Sequence, residues 1–467
     1  MKQSRIIYPD GILKGIQKKA VEMLTKIIVD ETIVYPACIP ASEYMPTDTF
    51  RDFFIGTKEN NIYIRTNSKA TLTKAEEYAI SVLNDTVIIE GFDDAGVLYG
   101  CIDFYPRYVA LQSLTHNSGT YFRHIFLDPL PDAFIQSAPS VKNRGLWTWG
   151  HVIYDYKGYI DNMAKLKMNT VIIWNDHAPF NAAEMVTYAH DAGVKVIWGF
   201  PWLWSTDCRN VDFDKLDEAG DEIVAYYEKH YAHLGGDGIY FQSFTELGSE
   251  TSDGILIADA VTKFVNDTAE KLFRLHPDIE LQFGLHTDSV RNRLDYIQNV
   301  DHRVRIVWEN CGCFPFAYMP EETEGFEETK AYVDKISVLR GEQERFGVVL
   351  KGLTKLKWSS FEHQTGPFVL GAASKEMYAN RIARKKKIWH FVQAGWLVSG
   401  DKVQEMIALM RDNTNGDTYI TALVEDAMFE QKLYYPVALL GEFMWDCYSD
   451  PKTIMHRVAL RNDVDFV

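Results

Sequence analysis

The chain has 467 residues, 46% of them apolar and 24% charged, a composition that excludes disorder, collagen-like repeats and coiled coil. That length exceeds one ordinary domain and points to a catalytic-sized unit with a smaller companion. With 65 acidic against 48 basic side chains the formal charge is −17, a field that repels phosphate backbones and anionic lipid heads, so neither nucleic acid nor a membrane is expected as a partner.

The six cysteines are too few for a disulfide scaffold, and neither C-x-x-C pairs nor His-Cys clusters with zinc spacing occur; reduced thiols and no resident metal or cofactor are expected. The amino terminus reaches Pro9-Asp10-Gly11 before an apolar run of signal-peptide length develops, and no window has the roughly 18 apolar residues of a membrane helix. The expectation is a soluble, cytoplasmic protein.

In chain order, Ile12 to Ile28 places Ile12, Leu13, Ile16, Ala20, Val21, Leu24 and Ile28 at a helical period. Tyr78 to Leu83 and Thr86 to Glu90 are β-rich runs around Asn84-Asp85, which predicts a hairpin. Asp93 or Asp94 can cap a helix over Val97 to Ala110. Pro129, Pro131 and Pro139 then discourage regular structure and mark a boundary. From Val141 short apolar runs alternate with amphipathic segments: Gly145 to Trp149, Thr170 to Trp174, Val194 to Phe200, Gly238 to Phe244, Ile279 to Gly284, Val304 to Trp308 and Gly347 to Leu350. That rhythm fits a (β/α)8 barrel better than a doubly wound sheet. Lys355 to Ser359 and the run near Trp389 compete for the eighth strand, and beyond Lys375 the chain reads as helices.

Barrel enzymes carry their reactive groups at the carboxyl ends of the strands. There the sequence offers Asp176 and His177, Glu246, His286 and Asp288, and Glu309. A carboxylate just past a buried run is partly desolvated, which raises its pKa and suits a proton donor; Glu246 is the best such residue. Glu309 or Asp288 would supply the second carboxylate of glycoside hydrolysis. His286 and Asp288, two apart on an extended segment, share a face and can orient a hydroxyl. Trp174 and Trp308 offer flat faces to sugar rings. For each the bland alternatives are a loop or helix cap, a salt bridge, or core packing.

Tyr78 to Gly100, reading YAISVLNDTVIIEGFDDAGVLYG, resembles the small α/β domain that precedes the barrel in family 20 glycoside hydrolases, the β-N-acetylhexosaminidases, and in α-glucuronidases. Arg144-Gly145-Leu146-Trp147 and the segment Tyr159 to Asn169 are similar to that family's first barrel strand and helix. The resemblance runs to about Asn175 and continues beyond it only in rhythm. It implies that Arg144 holds sugar hydroxyls. The family's strand-four motif is His-x-Gly-Gly-Asp-Glu, with Asp assisting the acetamido group and Glu as acid. Here His233-Leu234-Gly235-Gly236-Asp237 is followed by Gly238. Asp237 precedes the apolar run, so Glu246, with Thr245 before it, takes the place of the acid.

The fold class expected is α/β: a small domain over 1–135, a (β/α)8 barrel over 140–375 and a helical region over 376–467. The function expected is a glycoside hydrolase with Glu246 as acid, Glu309 or Asp288 as base or nucleophile, and Arg144, Asp176, His177, His286, Trp174 and Trp308 binding a carbohydrate substrate related to N-acetylhexosamine. The alternatives are a metal-dependent sugar isomerase or hydrolase, with Glu246, His286, Asp288 and Glu309 as ligands, and an inactive glycan-binding barrel. Linkage and oligomeric state stay open.

Overall fold

The computed structural model describes residues 2–111, 128–149, 153–174, 177–204, 211–246, 249–286, 289–310, 325–341, 344–353, 374–414, 417–424 and 429–467. The chain forms two compact units, one of 1–139 with 190–193 and 452–464, the other of 140–189, 194–451 and 465–467.

The first unit contains β1 (Gln3–Tyr8), α1 (Gly15–Thr32), β2 (Ala37–Pro40), β3 (Phe50–Gly56), α2 (Ile62–Asn67), β4 (Tyr78–Leu83), β5 (Thr86–Gly91), α3 (Asp94–Phe104) and β6 (Ala133–Ser137). Its six-stranded sheet has the order β2-β1-β3-β5-β4-β6. The hairpin is present: Leu83 pairs with Thr86, and Asn84 and Asp85 both adopt positive φ, 50° and 66°, the conformation a two-residue turn of matching twist requires. Asp85 also accepts from Arg51 Nε at 2.7 Å, an ion pair buried on both sides. Asp93 is the cap of α3, accepting from the Gly96 amide at 2.8 Å.

The second unit contains β7 (Asn143–Trp149), α4 (Tyr156–Lys165), β8 (Thr170–Trp174), α5 (Ala182–Asp191), β9 (Lys195–Gly199), α6 (Leu216–His230), β10 (Gly238–Gln242), α7 (Ile257–Leu275), β11 (Glu280–His286), β12 (Val304–Glu309), α8 (Phe326–Ser337), β13 (Phe346–Leu353), α9 (Lys375–Asn413), β14 (Tyr419–Val424) and α10 (Tyr435–Trp445), while all of α11 (Pro451–Ala459) but its first residue groups with the first unit. Strands β7 to β14 close into a parallel barrel, β14 pairing back to β7. The fold is a (β/α)8 barrel.

Two expectations change. The eighth strand is neither Lys355 to Ser359, which lies outside the described residues, nor the run near Trp389, which sits inside the 39-residue helix α9. It is Tyr419–Val424, every residue of it buried, and it falls inside the stretch 376–467 read as purely helical. The barrel therefore closes well past residue 375, and 452–464 groups with the first unit. Periodicity could not say this, because a short apolar run after a long helix fits a buried helix turn as well as a strand.

Inward positions alternate along each strand. Trp147, Ile172, Trp174, Ile197, Tyr240, Val307, Val349 and Leu423 form one buried cluster inside the barrel, with Trp149 and Trp204 packed on it.

Candidate functional site

Towards the carboxyl ends of the strands the inward positions turn polar. Register fixes the neighbours: Gln242 pairs with Gly284, His286 with Glu309, and Glu309 with Val349, two residues before Lys351. Glu309 is fully buried. Its Oε1 accepts from the Tyr240 hydroxyl at 2.5 Å and from Gln242 Nε2, while Oε2 lies 2.7 Å from Lys351 Nζ. Gly284 makes the crossing possible, since a Cβ there would collide with the Tyr240 hydroxyl and stand 3.1 Å from Glu309 Oε1. The Lys351 ammonium also lies 5.2 Å from the centre of the Trp147 ring. Asn310 Oδ1 accepts from the Lys351 amide at 2.8 Å and fixes that strand end.

Two carboxylates at this end of the barrel are driven in opposite directions. Burial raises the proton affinity of partly buried Glu246; the charges of His286 and Lys351 and the Trp204 indole oppose this, and negative Glu309 reinforces it. The net shift is upward. Burial also works to raise Glu309, but Lys351, His286 and the hydrogen bonds from Lys351 and Tyr240 outweigh it and hold Glu309 below the ordinary carboxylate value.

Aromatic rings line the same end. Trp174 stacks on Trp149 with centroids 5.0 Å apart, and Trp204 stands edge-on to Trp149 at 5.1 Å. Trp174, expected to bind substrate, is buried in the barrel core instead, with Trp149 and Trp204 packed over it. Trp308 does not face the mouth either: its strand neighbours Val307 and Glu309 face inward, and its own ring packs 5.3 Å from Tyr332 of α8. It is barrel-to-helix packing.

Arg144 is also corrected. It starts β7 at the amino-terminal end of the barrel, is fully buried, and spends its guanidinium on the carbonyls of Lys167 at 2.9 Å, Val141 at 2.6 Å and Lys142 at 3.0 Å. That is scaffold, where the resemblance implied a sugar ligand. Asp237 stands at the same end, accepting from the Val196 amide at 2.8 Å. His177 is exposed, and its charge adds to burial and Lys229 in lowering the pKa of His230. Asp176 and Asp288 lie outside the described residues.

The structure thus brings Glu246, His286 and Glu309 together, sets Trp149 and Trp204, two of the strand-end tryptophans visible in the sequence, at the same end, and adds Lys351, Tyr240 and Gln242, which sequence reasoning missed. A period-2 reading of Gly238-Ile239-Tyr240-Phe241-Gln242 would have flagged Tyr240 and Gln242 as polar residues on one face of a buried strand. Among the described residues no group of three or more His, Cys, Asp or Glu side chains is placed to hold a metal ion, and Glu309 Oε2 is paired with Lys351. No described helix is long and apolar enough to cross a membrane.

No family model matches the chain, and no curated protein matches it in sequence. Solved structures do resemble it. A GH138 enzyme targeting pectin rhamnogalacturonan II is 14% identical, covering 97% of this chain and 52% of its own, with a TM-score of 0.52. CpGH84B is 10% identical, covering 98% and 70%, with a TM-score of 0.55. A mutant Streptomyces plicatus β-hexosaminidase in complex with its product GlcNAc is 11% identical, covering 98% and 90%, with a TM-score of 0.54. The likeness is one of fold. The chain spans about half the length of the GH138 enzyme.

Proposed function

We propose that this chain is a glycoside hydrolase in which Glu246 is the general acid. The observation that carries the reading is the divergence of two carboxylates at one barrel mouth, Glu246 pushed towards its protonated form and Glu309 held ionised. Environments that separate two carboxyls in this way assign one as acid and the other as fixed negative charge. The glycoside hydrolases among the structures sharing this fold add weight by analogy alone.

In this mechanism Glu246 protonates the glycosidic oxygen as the bond to the anomeric carbon lengthens. Glu309, closed in by Tyr240, Gln242 and Lys351, has no free oxygen with which to attack, so it contributes negative charge that stabilises the oxocarbenium-like transition state. Asp288, two residues beyond His286, is then the carboxylate that activates water or forms the glycosyl intermediate. His286 and Asp176 bind hydroxyls, and the Trp149 and Trp204 faces take the C–H side of the ring. The substrate class is a glycan containing N-acetylhexosamine or a related sugar.

The test is Glu246→Gln against a panel of aryl glycosides, with and without EDTA. Wild-type turnover is expected to be indifferent to the chelator, and kcat for a poor leaving group should fall at least about a hundredfold in the variant. Variant activity within a few-fold of wild type, or no wild-type turnover on any sugar of the panel, overturns the proposal.

A further inference from the structure

We infer that a cavity in the loops behind Thr245 is a subsite for an anionic group, a carboxylate or a sulfate, carried by the sugar. The inference rests on the reading of this barrel mouth as one that takes a glycan.

The cavity has a volume of about 290 Å³ and lies between the loops that follow β10 and β11 and the start of α7. Ligand pockets run upward from about 300 Å³, so it fits one sugar unit and not a long chain. Thr245, the residue before Glu246, lines it. Thr245 is 6% exposed, and its hydroxyl makes no hydrogen bond among the described residues. A buried hydroxyl without a protein partner is a place for a ligand. Ile257 and Ala258 bring the amino terminus of α7 to the same space, and Leu256 gives that helix no side-chain cap. The Ile257 amide donates to the Glu250 carbonyl at 3.1 Å, and the N–H groups after it carry the positive end of the helix dipole. Asp259, the acidic residue of this turn, is exposed.

Arg291, Arg293 and Glu250 complete the lining. Arg293 Nε donates to Glu250 Oε2 at 2.9 Å and Nη2 donates to the same oxygen, while Nη1 makes no hydrogen bond among the described residues. The Arg291 guanidinium carbon lies 4.7 Å from the centre of the Tyr332 ring of α8. The turn that carries both arginines is tied to the end of β11, the Ser289 amide donating to the His286 carbonyl at 2.8 Å and the Arg293 amide to the Val290 carbonyl at 2.8 Å. Guanidiniums and helix amides donate and cannot accept, so the group they suit is one that only accepts, an oxyanion. In a chain of charge −17 such a lining runs against the field of the whole protein.

The experiment is calorimetric titration of the full chain with D-glucuronate, D-galacturonate and D-glucose 6-sulfate against D-glucose, D-galactose and inorganic sulfate, in the wild type, Arg293→Gln, Thr245→Val and Glu250→Gln. The Arg293 and Glu250 side chains are 39% and 46% exposed, so each variant leaves its partner hydrated and the fold intact. At least one anionic sugar should bind about tenfold or more tightly than its neutral counterpart, and which one does so tells carboxylate from sulfate. Arg293→Gln should weaken that anion about tenfold, as loss of a charged hydrogen bond does. Thr245→Val should weaken it less, Glu250→Gln should tighten it by releasing two more donors, and the neutral sugars should stay within about twofold throughout. The inference is overturned if neutral and anionic sugars bind alike, if inorganic sulfate binds as tightly as the sugar anions, or if Arg293→Gln leaves anion affinity unchanged. None of these measurements needs turnover. Anionic sugars bound as expected by a chain that cleaves no glycoside would sink the hydrolase reading and leave this one standing.

Discussion

Arg144→Met separates the scaffold reading of this residue from the sugar-binding role that its resemblance implies. The guanidinium donates to three carbonyls, two of the bonds being fully buried, and sits 5.2 Å from the Trp445 ring centre. Methionine replaces the apolar stem but none of the donors. A buried acceptor left without a partner costs about 1–3 kcal/mol, so the two enclosed carbonyls, those of Lys167 and Val141, together give roughly 4 kcal/mol. At about 2–4 °C per kcal/mol for a domain approaching this size, the melting temperature should fall by roughly 10 °C. Circular dichroism melts measure it, and KM for a cleaved glycoside should stay within about twofold of wild type. A melting temperature within roughly 2 °C of wild type together with a tenfold rise in KM would refute the argument and return Arg144 to the substrate.

Gly284→Ala should destabilise the barrel by about 1–3 kcal/mol in denaturant titration, since the new methyl group meets the Tyr240 hydroxyl and the Glu309 carboxylate in a packed interior; an unchanged midpoint means the polar layer is looser than described. Glu430 gives a pH signature. Its Oε2 accepts from the Asp155 amide at 2.6 Å, and burial pushes its pKa up to about 8 from 4.5. A carboxyl raised on folding binds its proton more tightly in the native state, so its contribution is complete below about pH 4.5 and is lost as pH climbs towards 8. Wild-type melting temperature should therefore decline over that window more steeply than that of Glu430→Gln. Parallel curves would show that Glu430 does not titrate there.

The site was legible in one respect: polar residues directly after buried runs. Glu246, His286 and Glu309 stand where that rule puts reactive groups, and the described structure gathers them at one end of the barrel. The rule has no access to side-chain facing, and there it misled. Trp308 follows the same apolar run as Glu309 yet belongs to the opposite face of β12. Arg144 resembles a ligand in sequence context, but its position as the second residue of β7 puts it at the far end of the barrel from the mouth.

The sequence alone determined what depends on near neighbours. The Asn84-Asp85 turn, the Asp93 cap and most barrel strands follow from residues within a few positions of one another, whose conformational preferences act locally. Tertiary structure alone decided which runs close the barrel and which groups surround Glu309. Tyr419–Val424 is a strand because β13 and β7 leave unpaired backbone groups on either side of it. Glu309 is held below the ordinary carboxylate value because Lys351, 42 positions along the chain, arrives 2.7 Å from its fully buried carboxylate. Charge and desolvation act through distance in space, which sequence separation does not encode.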